Sequence, residues 1–374
     1  MTLHYLKSAA LGLAALAGVF APQAAFAASK TVVDVLGRKV TIEAPVKRVI
    51  VTFNYEEFTA IAGKDAWSKV VGMSKALWEG WRPAIFAKYK SVIPNLADMP
   101  DVGNTEDGNF SAEKVIALKP DVVLMAEWSF NALKTAGEQL AAAGIPIVVI
   151  DYNAQTLEKH LASTRAIGAV MDAEARAEEL AKLYEREHKD IQQRIVKASQ
   201  GVAKKKVYVE LGRDGADKIG NSYQNNMWGS ILDGLGAENI ANGKLPGPWG
   251  PLNPEYVIAS NPDVILIAGS SWVNRPSAVR LGFDTPADVS RASLKPYAER
   301  PGWSGLAAVK SGNVHAIEHG LARTLFDFTA QQYIAKQLYP DAFKDVDPVK
   351  SLRAYHEKYL PVPFSGTWMV PLKP

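Results

Sequence analysis

The stretch EKVIALKPDVVLMAEW fills residues 113–128, and EYVIASNPDVILIAGSSW fills residues 255–272. In both, a Glu stands seven residues before a Pro, the Pro opens a PDV triplet, and an unbroken apolar run ends near a Trp. Nine of the first fourteen positions are identical. The caps agree as well. Ser111 and Asn253 each stand two residues before the Glu, where a side-chain oxygen can accept the free N–H groups of a helix start. Each copy therefore reads as a capped short helix, a Pro-Asp turn and a central strand. Written twice, the unit predicts two similar lobes, each built on its own buried sheet.

The surrounding pattern extends this reading. RVIV (48–51), VVGM (70–73), VVLMA (122–126) and IVVI (147–150) are short continuous apolar runs, and NALKTAGEQLAAAG (131–144) is a helical pattern closing near Gly144. The runs restart with VYVEL (207–211), VILIA (264–268) and VHAI (314–317). Apolar strands without polar alternation, separated by helices, indicate parallel sheets covered on both faces. Ahead of the first set, VVDVLGRKVTI (32–42) holds two alternating runs around Leu36-Gly37-Arg38, the pattern of a β-hairpin.

Between the sets, residues 172–199 place Ala177, Leu180, Tyr184, Ile191 and Ile195 mostly on one stripe of period 3.6. Asp172 is the expected cap, and no Pro or Gly interrupts the run before Gly201. Such a helix would extend ~40 Å, longer than a crossover needs and long enough to bridge two lobes. The expected fold class is α/β: two lobes with mainly parallel sheets joined by one long backbone helix. The expected division is an N-terminal lobe over 28–156, a connecting helical segment over 157–200 and a C-terminal lobe over 201–374.

The first 27 residues read as a secretory signal. Lys7 supplies the positive start, residues 8–20 form a short apolar core, and AFA at 25–27 is an A-x-A cleavage site, placing cleavage near Ala27. An apolar core of about 13 residues is too short to span a bilayer. The chain has no Cys, so it forms no disulfides and carries no thiol for a lipid, which fits a free periplasmic protein. The formal charge of +3 comes without a basic stripe, and nucleic acid is not an expected partner.

Ligands of open parallel sheets bind beyond the carboxyl ends of the strands. Those ends supply Tyr55, Trp128, Tyr152, Arg213 and Trp272, while KALWEGWRP (75–83) adds Trp78, Trp81 and Arg82. SYQNNMW (222–228) adds Tyr223 and Trp228, and Arg275 and Arg280 follow Trp272. The candidate ligand-binding set is Tyr55, Trp78, Trp81, Arg82, Trp128, Tyr152, Arg213, Trp228, Trp272 and Arg280. Aromatic planes beside Arg suit a bulky, partly unsaturated, polar or anionic ligand. The same aromatics also suit plain packing between lobes.

Other chemistries leave weaker marks. A bare metal ion needs clustered His and carboxylates, and the five His after the signal are scattered. Haem wants an axial Tyr, His or Met, for which Tyr55, Tyr152 and His319 are candidates. GADKIGNS (215–222) has Asn221 where a phosphate loop requires Lys, and GLGAEN (234–239) lacks the third Gly of a dinucleotide fingerprint. Glu113 and Glu255 precede their strands, whereas a cleft lies after them, which argues against a carboxylate pair acting on a glycoside. A Glu in a first helical turn is also favoured by the helix dipole alone.

The ordered set DVLGRKVTI…PVKRVI, GNFSAEKVIALKPDVVL, LAAAGIPIVVID, GSILDGLGAEN, LNPEYVIASNPDVILI, RPGWSGLAAVKSGNVHAI and AKQLYPDAF resembles the periplasmic binding proteins for ferric siderophores, haem and cobalamin that feed ABC importers. The resemblance covers essentially the whole chain after the signal. It implies two α/β lobes on a rigid linking helix, a shallow cleft between them, and small closure on binding. It also implies that one Glu per lobe docks on Arg side chains of the permease. The matching positions are Glu113 and Glu255. In the cobalamin binders an aromatic follows the strand after the ALKPD phrase, matching Trp128. The chain departs from the best-known members in longer segments at 76–100 and 270–303, both expected to border the cleft. The combined expectation is a monomeric carrier of a metal chelate, first of all a ferric siderophore, with haem or cobalamin as alternatives and a periplasmic enzyme as the different-class rival. It needs no cofactor, no catalytic residue and no metal site of its own.

Overall fold

The structure, a computed structural model, describes Met1, residues 28–272 and residues 274–373. The expected export signal and its cleavage site therefore lie outside the described residues, apart from Met1.

The N-terminal lobe opens with a hairpin, β1 (Ala28–Val33) and β2 (Lys39–Ala44), and continues with β3 (Val49–Val51), β4 (Val70–Met73), β5 (Val122–Ala126) and β6 (Ile147–Ile150). The last four form a parallel sheet in the order β4-β3-β5-β6. The hairpin tip covers the edge of this sheet: Val35 N–H donates to Val149 O at 3.1 Å and Arg38 Nη2 to Ile147 O at 2.9 Å. A covered edge cannot pair with another chain.

The C-terminal lobe contains β7 (Lys206–Leu211), β8 (Asn221–Tyr223), β9 (Glu238–Asn239), β10 (Trp249–Pro251), β11 (Val264–Gly269), β12 (Val314–Glu318) and β13 (Met369–Pro371). Its sheet runs β13-β12-β11-β7-β9, parallel except for β13, and β8 with β10 forms a separate antiparallel pair. Every residue of β5 and β11 is buried, as continuous apolar runs demand.

The helix Glu174–Ala198 is the expected long connector, with Ala177, Leu180, Tyr184, Ile191 and Ile195 all buried on one stripe. It touches both lobes. Arg176 Nε donates to Ala60 O at 3.1 Å, and Arg194 Nη1 donates to Ala342 O at 2.8 Å. The expected cap is corrected: Asp172 adopts a left-handed conformation (φ 56°) that closes the preceding helix Leu157–Met171, and it pairs with Lys30 instead. The helical pattern over 131–144 forms the helix Thr135–Ala142, which Lys134 at φ 48° parts from a short preceding helix, Glu127–Asn131. Among the described residues, no helix is long and apolar enough to cross a membrane.

Candidate ligand cleft

A cleft of about 700 Å³ opens where the carboxyl ends of both sheets meet. Trp128 follows β5, Asn153 follows β6, Arg213 follows β7, Trp272 follows β11 and His319 follows β12; all five line it. Trp81 enters from the first long segment, Trp249 from β10, and Arg323 from the turn after β12. The strand-end rule is thus met by both lobes at once. A second groove, about 430 Å³ beside Arg38 and Phe130, is lined by the N-terminal lobe alone.

Aromatic side chains build the walls. Phe53 meets Trp128 edge-on at 5.4 Å between ring centroids and Trp81 at 6.4 Å. The Arg323 guanidinium lies 5.5 Å from the centroids of both Phe53 and Trp81, so two rings hold one cation in place. Among the described residues no carboxylate pairs with it. Burial, and then the neighbouring Arg82, lower its pKa to about 10, so it still carries its charge at neutral pH. Arg213 and Arg275 share Asp214 at 3.1 Å and 3.0 Å near the rim.

The floor is His319, only 9% exposed. The indole N–H of the fully buried Trp228 donates to its Nδ1 at 3.2 Å, and the Tyr223 and Trp272 rings stand 5.9 Å and 6.4 Å away. Burial, assisted by Arg323, Arg82 and Arg213, drives the imidazole pKa well below its ordinary value, so it is neutral. Below this floor Arg82 links the lobes, 2.9 Å from Glu56 and 3.8 Å from Glu318 at the end of β12. It lies so close over Gly320 that a Cβ there would come within 2.5 Å of its Nη2. Among the described residues, no group of three His, Asp or Glu side chains is placed to hold a metal ion.

Residues 54–319 match the family described as periplasmic binding protein. The chain belongs to that family. A crystal structure of a TroA-like periplasmic binding protein, FepB from Veillonella parvula, is similar over 91% of this chain and 99% of its own, with 37% identity and a TM-score of 0.85. The molybdate-binding protein MolA of Haemophilus influenzae is 26% identical over 353 residues, covering 89% of this chain and 91% of that one. An uncharacterized ABC transporter substrate-binding lipoprotein of Bacillus subtilis is 27% identical over 250 residues, 66% of this chain and 71% of its own. The protein is a solute-binding component of ABC import.

Within this binding protein, the sequence-derived set divides. Trp81, Trp128, Arg213 and Trp272 line the cleft. Tyr55, Trp78, Tyr152 and Trp228 do not: each is at most 2% exposed. Tyr55 stacks on Trp78 at 4.6 Å and its hydroxyl donates to backbone oxygens, while the Tyr152 hydroxyl meets Thr164 at 3.0 Å. Neither tyrosine can therefore serve as an axial haem ligand. Arg82 is committed to buried carboxylates, and Arg280 is absent from the cleft lining. The long segments border the cleft only in part, through Glu79–Trp81 and Pro83, and through Trp272, Asn274 and Arg275. The rest of the first segment packs inward through Ile85, Phe86 and Tyr89.

The expected distance between Glu113 and the cleft is also corrected. The helix Ala112–Leu118 runs antiparallel to its strand. Its cap residue Ser111 donates its N–H to Val102 O, and Val102 donates in turn to Met73 at the carboxyl end of β4. Glu113, exposed in the first turn, thus shares the face on which the cleft opens. Glu255 sits likewise, after Pro251, which pairs with Asn221. Sequence reasoning missed Arg323 and Trp249, and weighed His319 only as a ligand, to a bare metal ion with His315 or to haem. The strand-end rule applied to β12 would have reached His319 and the Arg four residues on.

Proposed function

We propose that this binding protein captures a bulky anionic metal chelate in the periplasm, most favourably a ferric siderophore, and carries it to an inner-membrane ABC permease. One observation carries this reading: a cleft of about 700 Å³ walled by Trp81, Trp128, Trp249 and Trp272 with Arg213, Arg275 and Arg323. That volume is in the range of organic ligands, and aromatic faces beside guanidinium groups favour a polarizable anion. The protein does no chemistry on its cargo and works as a monomer, with its export signal cleaved near Ala27. Glu113 and Glu255, one per lobe and both exposed on the cleft face, are assigned to docking on permease arginines.

A second reading has support of its own. The MolA relative is named for molybdate, and the cationic floor around Arg323 suits a small oxyanion. A lone tetrahedral oxyanion would fill only a small part of 700 Å³, which places it behind the chelate. The test is a tryptophan-fluorescence titration with ferric catecholate, hydroxamate and carboxylate chelates, their metal-free forms, haem, cobalamin and molybdate. Saturable quenching by one ferric class and not by its metal-free form establishes the chelate reading. A response to molybdate, haem or cobalamin alone replaces the cargo and keeps the transport role.

A further inference from the structure

The floor of the cleft offers an unusual set of groups. Trp228 is fully buried, and its indole N–H has one available role, donation. Its acceptor is His319 Nδ1 at 3.2 Å. Nδ1 must therefore present a lone pair, and a neutral imidazole then carries its hydrogen on Nε2. Exchanging the two ring edges would leave the buried indole N–H without an acceptor, at a cost of about 1–3 kcal/mol. Beside His319 stands Tyr223, 4% exposed, whose hydroxyl has no hydrogen-bond partner among the described residues. Burial raises its pKa above 10, so the phenol stays protonated. Arg323 completes the set, held by Phe53 and Trp81 and free of carboxylates among the described residues.

We infer that His319 Nε2–H, Tyr223 Oη–H and the Arg323 guanidinium form a donor-only subsite that takes an anionic oxygen group of the cargo, and that neither His319 nor Tyr223 ligates the cargo's metal. This rests on the chelate reading. Coordination through His319 Nε2 requires the hydrogen to move to Nδ1, where it would face the Trp228 N–H donor to donor. A phenolate ligand requires ionising Tyr223 in a buried setting. Through His319 and Tyr223 a metal is accepted only when its own chelator already fills its coordination sphere, and neither of them can fill an open axial position on haem. The wall carboxylates are peripheral: Glu106 is exposed, and Glu79 lies 3.7 Å from Lys75.

The tautomer is tested first, because it does not depend on the cargo. Nitrogen-15 NMR of imidazole-labelled protein, with the His319 signals assigned through His319→Gln, is expected to show a bare Nδ1 and a protonated Nε2. A protonated Nδ1, or an imidazolium at neutral pH, overturns the inference. The second arm compares a trianionic ferric tris-catecholate with a neutral ferric tris-hydroxamate. Arg323→Gln, checked for folding by near-UV circular dichroism, is expected to weaken the first by roughly 10- to 100-fold and the second little. Equal losses for both overturn the subsite. The third arm adds haemin: a histidine-ligated haem spectrum that His319→Gln abolishes also overturns it, while leaving the transport role intact. If neither chelate binds, the chelate reading fails by itself. Molybdate or citrate binding that Arg323→Gln removes then still supports the subsite, and failure of both anions as well defeats it.

Discussion

The two copies of the repeated unit agree at one end and part at the other. In the N-terminal lobe the Ser111 hydroxyl accepts Lys114 N–H, the helix ends on Lys119 at φ 47°, and the Asp121 carboxylate accepts Lys47 and Arg48 N–H at 2.7 Å and 2.8 Å. In the C-terminal lobe Asn253 caps Glu255 and Tyr256, the helix ends on Asn261 at φ 46°, and Asp263 accepts Lys206 N–H at 2.8 Å. Pro stops the helix, and the Asp ties the amino end of the new strand to its neighbour. Beyond the carboxyl ends the likeness stops. β5 runs straight into the helix Glu127–Asn131, where Glu127 holds Lys159. β11 runs into a long loop that Ser270 pins to Glu318 at 3.0 Å and Ser271 to Leu281 O at 2.8 Å. The amino ends only build the sheet, so one solution serves twice. The carboxyl ends face the cleft from opposite sides and have diverged.

The most drastic way to break this comparison is at the proposed docking face. Glu113→Ala combined with Glu255→Ala is expected to abolish uptake in cells while ligand affinity stays at the wild-type value. Uptake that survives the double change removes both acids from docking, and one single change as severe as the double while the other is silent shows that one lobe docks alone. The framework comes next. Asp121→Ala and Asp263→Ala should each cost about 1–2 kcal/mol in denaturant unfolding, because each frees backbone N–H groups at a strand start. If one of them is neutral, the two copies do not share a structural role. At the diverged ends, Trp128→Ala and Trp272→Ala should each weaken ligand binding by about 5- to 10-fold without lowering stability much. Wild-type affinity in either variant would take that wall out of the site.

The smallest effect sits at the lobe junction. Glu57 accepts Leu325 N–H at 3.0 Å, and burial, with Glu56 adding repulsion, raises its carboxyl pKa to about 7. A raised carboxyl pKa stabilises the fold fully below the unfolded value, and that contribution is lost as pH rises through the folded one. Glu57→Gln should therefore gain on the wild type by about a degree or two in Tm between about pH 5 and about pH 8. A Tm difference that does not change with pH would show that Glu57 ionises without penalty.

Much of the architecture was legible from the chain, since strands covered on both faces must be apolar throughout and a solvent-backed helix must carry one stripe. The repeat located both lobes, and the stripe from Ala177 to Ile195 located their connector. The cleft itself was half legible. Trp81, Trp128, Arg213 and Trp272 line it, whereas Tyr55, Trp78, Tyr152 and Trp228 stand beneath it. A Trp in a strand-end loop has the same local surroundings in sequence whether it faces a ligand or packs below one.

What the sequence by itself determined is local: periodicity, capping oxygens, the helix-stopping Pro and the Asp beside it act within a few residues, and they specified two lobes and a long helix. Only the tertiary structure decided which groups are free to meet a ligand. Arg82 is spent because Glu56 and Glu318 reach it from different lobes. His319 keeps its hydrogen on Nε2 because Trp228, far away along the chain, points an N–H at Nδ1. Arg323 stays open because the rings that hold it, Phe53 and Trp81, bring no carboxylate with them. Burial and partner choice are set by segments distant in sequence, and no short pattern encodes them.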